Sequence, residues 1–118
     1  MIDGFKERDF GSLEGKTVEE YLELNNPEES VGYEKNEALE RRVMKSFYSL
    51  LETKENTLIT AHAHVLKAIL VNVDASYDYS FMLKNCAILC IELKENQLIL
   101  NKIRYIQCNQ LCFNFISK

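Results

Sequence analysis

The chain has 118 residues, of which 47% are hydrophobic and 27% charged, so it is long and apolar enough to bury the core of one domain and does not have the composition of a disordered protein. The net charge of −4 hides an asymmetry: 14 acidic against 8 basic residues lie before Thr57, and 4 against 6 from Thr57 onward. That acidic first half, without any basic stripe, argues against a nucleic-acid partner, and Glu19, Glu20, Glu23, Glu28 and Glu29 read as a solvated helix and loop surface. No apolar run approaches the roughly 20 residues needed to cross a bilayer, and Met1-Ile2-Asp3-Gly4 does not open a signal peptide. No membrane association is expected, and the location expected by default is cytoplasmic. Cys86, Cys90, Cys108 and Cys112 are then expected as reduced thiols. If Cys86 and Cys90 sit on one strand, their Cα atoms are about 13 Å apart, too far to share a zinc ion. No metal or other cofactor is expected, with zinc a remote alternative.

In chain order, residues 1–5 suit the end of a strand, and Lys6 to Lys16 a loop with glycines at 11 and 15. Thr17-Val18-Glu19-Glu20 is a capping box, predicting a short helix with Val18, Tyr21 and Leu22 inward, stopped by Asn25-Asn26-Pro27. From Glu37 to Glu52, Leu39, Val43, Met44, Phe47, Leu50 and Leu51 recur at helical spacing and are expected in the core. Thr57 to Ala61 reads as a short strand and His64 to Val71 as a helix packed through Val65, Leu66 and Ile69. Ala87 to Leu93 and Gln97 to Ile106 read as strands joined by a turn at Lys94-Glu95-Asn96, a hairpin that makes the sheet mixed. Gln107 to Lys118 has no assignable periodicity and is left as a tail of unknown structure.

The junction at 57–70 carries the functional signal. A histidine at the carboxyl end of a strand, beside the unpaired amides of a helix start, suits binding of phosphate. The bland alternative, a histidine satisfied within the core, is the commoner fate of a histidine in an apolar run. With its flanking residues, Thr57 to Leu70 resembles the second-histidine motif of the histidine phosphatase superfamily, the phosphoglycerate mutase-like group, where a strand ends in a small residue, then His-Gly and an aliphatic helix. Upstream, Phe5-Lys6-Glu7-Arg8-Asp9-Phe10-Gly11-Ser12-Leu13-Glu14-Gly15 resembles that group's Glu-x-Asp-Phe-Gly-x-x-Glu-Gly signature in residue type and spacing. Tyr33-Glu34 through Arg42 resembles its Gly-Glu-Ser segment followed eight residues on by arginine, with Tyr33 for the glycine and Lys35 for the serine.

The resemblance implies an α/β fold with a mixed, mostly parallel sheet flanked by helices and ending in a hairpin. Residues 1–106 would be the C-terminal portion of a phosphoglycerate mutase-like domain, N-terminally incomplete. It implies phosphomonoester hydrolysis or phosphoryl transfer through a phosphohistidine, with His62 as the second histidine and Glu7 as the acid that protonates the leaving oxygen. Arg8 and Ala63 would contact substrate, Ala63 standing where the group has glycine. The Arg-His-Gly motif that supplies the phosphoryl acceptor is absent: the two histidines, His62 and His64, each follow alanine. The chain is therefore expected to be inactive alone. A phosphate-binding pseudo-enzyme and a protein-interaction module are the alternatives. The partners expected are a phosphorylated small molecule or phosphate, and either a second copy or a missing N-terminal segment pairing with the sheet. Lys16 and Asn85 are weaker pocket candidates, and His64 reads as a cap or surface residue turned away from His62.

Overall fold

A computed structural model describes residues 2–84, 86–105 and the backbone of 114–117. Expectations for Asn85, for residues 106–113 and for the Val18 side chain fall outside the described residues. Helix α1 (Val18–Leu22) begins as expected: the Thr17 hydroxyl accepts the Glu20 N–H at 3.1 Å and the Glu20 carboxylate accepts the Thr17 N–H at 2.9 Å. Leu22 is 69% exposed rather than inward, because a five-residue helix has too few turns to bury a whole stripe. Helix α2 (Asn36–Leu51) buries Leu39, Val43, Met44, Phe47 and Leu51 along one side, as its periodicity requires.

Strand β1 (Thr57–Ile59) leads into α3 (Ala63–Val73), and β2 (Ala87–Lys94) and β3 (Gln97–Tyr105) form the hairpin. Lys94 pairs with Gln97, leaving a two-residue turn in which Glu95 and Asn96 both have positive φ, the backbone that suits the twist of paired strands. Along β2, Ala87, Leu89 and Ile91 are buried while Ile88, Cys90 and Glu92 are half-exposed, so the helices cover one face. Leu89, Ile91 and Ile59 join α2, α3 and Phe5 in a single core.

The strand order is β1-β4-β2-β3, with β4 (Asn114–Ser117) antiparallel to β1 and parallel to β2. The α/β class and the mixed sheet stand, but the mostly parallel sheet does not: β1–β4 and β2–β3 are antiparallel and only β2–β4 is parallel. The reason is connectivity. Tight turns such as that at Glu95-Asn96 can only reverse the chain, and parallel neighbours need a crossover. The 107–118 stretch, left without structure above, thus contributes a strand between β1 and β2 whose short length gave no period to read. Cys86 is disulfide-bonded and Cys90 is a free, half-buried thiol. The reduced state, argued from compartment rather than geometry, is corrected at Cys86.

Candidate functional site

The site is assembled where the loop before α1 meets the start of α3. His62 is the N-cap of α3, extended at φ −85° and ψ 165°, and its carbonyl accepts the Leu66 N–H at 3.1 Å. Its exposed imidazole makes no capping bond to the first amides of this 11-residue helix. Ala63 is the first helical residue and its φ is not positive, so this backbone does not demand the glycine of the resembled motif.

Glu7 and His62, 55 positions apart, line one open cleft of about 530 Å³ floored by Phe5, Leu50 and Ile59, with Lys6 at its side. His62 also borders a smaller cleft of about 150 Å³ shared with Ala63, Lys84 and Ala87. Lys84 is a cation that the sequence reading did not single out. Lys16 instead lines a separate, mainly apolar pocket with Phe10, Leu13, Tyr21 and His64.

His64 does not line the Glu7–His62 cleft, but it is more than a cap or surface residue, because it packs against Glu7 from the neighbouring pocket. Its Nδ1 lies 3.5 Å from Glu7 Oε1, an ion-pair distance too long for a well-formed hydrogen bond, and that buried nitrogen has no hydrogen-bond partner. The His64 ring also meets Phe10 edge-on at 5.5 Å. A signal for this was present: side chains in a helix's first turn tilt toward its N-terminus, so the second residue of α3 reaches the same end as the cap. Burial pushes the Glu7 carboxyl up, but the His64 contact, the Arg8 N–H at 2.8 Å and the nearby His62 outweigh it and hold the group below the ordinary carboxylate value.

Arg8 lies elsewhere. It is 4% exposed and does not line the Glu7–His62 cleft; it donates to the Glu34 carbonyl and to Asn36 Oδ1, both at 2.8 Å, and its guanidinium sits 5.2 Å from the Tyr33 ring. It ties the loop to the start of α2. Arg42 does the parallel task from within α2. Its Nε and Nη2 take both oxygens of Glu34, at 2.7 and 2.8 Å, while Nη1 reaches the carbonyls of Gly4 and Lys6 and Nη2 that of Glu7 at 3.1 Å. The Glu34–Arg42 spacing seen in the sequence is therefore a clamp on the backbone that carries Glu7. Glu14 accepts the Phe10 N–H at 3.1 Å and Asp9 the Gly11 N–H at 2.8 Å, closing the loop on itself.

Two segments far apart in sequence, the loop that carries Glu7 and the start of α3 at His62, thus meet over one cleft. The chain matches the model of the histidine phosphatase superfamily (branch 1) over residues 1–105 and belongs to that superfamily. No curated protein and no solved structure matches it. Among the described residues no helix is long and apolar enough to cross a membrane, and no three His, Cys, Asp or Glu side chains gather as a metal site.

Proposed function

We propose that this chain binds phosphomonoesters or inorganic phosphate in the Glu7–His62 cleft, as the charge-stabilising part of a histidine-phosphatase site. The observation that carries this is that cleft itself, lined by residues of both family-like motifs, with Glu7 from one and His62 from the other. On this reading His62 and the N-terminal end of α3 face the phosphoryl oxygens as hydrogen-bond donors and a positive dipole end, meeting the need of phosphoryl transfer for charge stabilisation. Ala63 lends its backbone N–H to the same end of the helix. Arg8, engaged with Glu34 and Asn36, serves the site by holding the loop rather than by touching substrate.

Transfer through a phosphohistidine needs an acceptor in line with the leaving oxygen, and His62 beside the phosphate does not meet that demand. The 118 residues hold no Arg-His pair, so on this reading they bind phosphate without turning it over unless a segment carrying that pair is supplied. The test is hydrolysis of an aryl phosphate by the purified chain, alone and with an Arg-His-Gly-containing segment of a branch 1 relative in trans. No turnover alone, with phosphate shifting the amide resonances of Ala63 to Leu66, is the expected result. Robust turnover lost in His62→Ala, with phosphohistidine trapped at His62, would overturn it.

A further inference from the structure

Glu7 poses a difficulty for any anion in this cleft. A carboxylate held ionised beside the phosphate position repels a dianion, and the repulsion is strongest where burial limits screening. The opposing charges nearby are unevenly placed. Lys6 and His62 line the cleft, Lys67 of α3 is half-buried and donates to the Tyr79 carbonyl, and the Arg42 guanidinium of α2 is committed to Glu34 and three backbone carbonyls. Arg8 gives Glu7 its backbone N–H, but its guanidinium is taken up by Glu34 and Asn36. On the far side of His64, Glu14 is bonded to the Phe10 amide, and Lys16 and Tyr21 line the apolar pocket. Only His64 places a titratable nitrogen directly against the carboxylate, 3.5 Å away, buried and with no hydrogen-bond partner among the described residues.

Resting on the phosphate-binding reading, we propose that His64 is an affinity-setting, positioning residue of the cleft: reaching Glu7 from the neighbouring pocket, its ring offsets the carboxylate's repulsion and eases entry of a tetrahedral dianion. Glu7 then acts as the source of discrimination and His64 as the control on it, without either contacting the anion as its main ligand.

Sulfate is the probe, because it is a tetrahedral dianion whose charge stays fixed near neutral pH. Its affinity is read from the amide shifts of Ala63 to Leu66, with inorganic phosphate as competitor. Glu7→Gln should tighten binding about fivefold by removing the repelling charge, His64→Gln should weaken it by a similar factor, and His64→Gln should have no further effect once Glu7 is glutamine. Glutamine at 64 keeps helix propensity and a donor for Glu7, so both variants should keep the wild-type fold, checked by their circular dichroism. Sulfate binding unchanged in His64→Gln, or weakened equally with and without Glu7, would overturn this proposal while leaving the phosphate reading intact. Failure of both sulfate and phosphate to perturb those amides would overturn the phosphate reading itself.

Discussion

Arg42→Met tests whether the clamp on the Glu7 loop is a source of stability. Methionine keeps most of the aliphatic stem and deletes the guanidinium, which here takes both Glu34 oxygens and the carbonyls of Gly4, Lys6 and Glu7. Removing one partner of a fully buried pair costs about 3–5 kcal/mol, and exposed pairs contribute about 0–1 kcal/mol. With side-chain exposures of 28% for Arg42 and 15% for Glu34, the pair lies between those limits. The expected loss is about 2–3 kcal/mol, a fall in Tm on the order of 10 °C for a chain of this size. Urea unfolding should show a lower midpoint at unchanged slope. A pH series adds a second reading. The Arg42 hydrogen bonds, helped by the Asp9 N–H, hold the Glu34 carboxyl below its ordinary value against the effect of burial. A depressed carboxyl contributes stability that is complete above its unfolded pKa of about 4.3 and is lost as pH falls through the folded value. The acid limb of the stability curve should therefore be shallower in Arg42→Met. A loss under 0.5 kcal/mol with an unaltered acid limb would refute the reasoning and make the clamp a surface pair of no consequence.

Two glycines at positive φ should separate conformational strain from steric clash. Gly11, at φ +57°, would place a Cβ 2.3 Å from the Gly32 carbonyl carbon and 2.4 Å from the Val31 oxygen, whereas Gly15, at φ +87°, faces open space. Gly15→Ala should cost about 1–2 kcal/mol and Gly11→Ala clearly more, about 3 kcal/mol or above, by chemical denaturation; equal losses would show that the 11–32 contact yields easily. Phe47→Ala, at a fully buried site facing both helices and the sheet, should cost about 3–5 kcal/mol in the same assay. A loss below 1 kcal/mol there would mean that α2 does not supply the core.

The elements whose signals are local were legible from the sequence. The Thr17 capping box, the α2 stripe from Leu39 to Leu51 and the Glu95-Asn96 turn each depend on residues within a few positions of one another, so their physics is written in spacing. Glu7 and His62 were legible as candidates because each stands within a motif with recognisable neighbours. Four matters were decided only by tertiary structure. The direction of the strands depends on where β4, separated in sequence from both neighbours, inserts between β1 and β2. The fate of Arg8 depends on Glu34 and Asn36, 26 and 28 positions away, which bury a guanidinium that sequence alone leaves free to meet a ligand. Leu22, inward by pattern, is 69% exposed, with nothing among the described residues covering it. The pairing of His64 with Glu7 joins two segments that only the docking of the loop onto α3 brings together. Sequence spacing fixes which way a side chain leaves its own element, but charge, burial and proton affinity depend on what arrives opposite it, and that is a property of the packed chain.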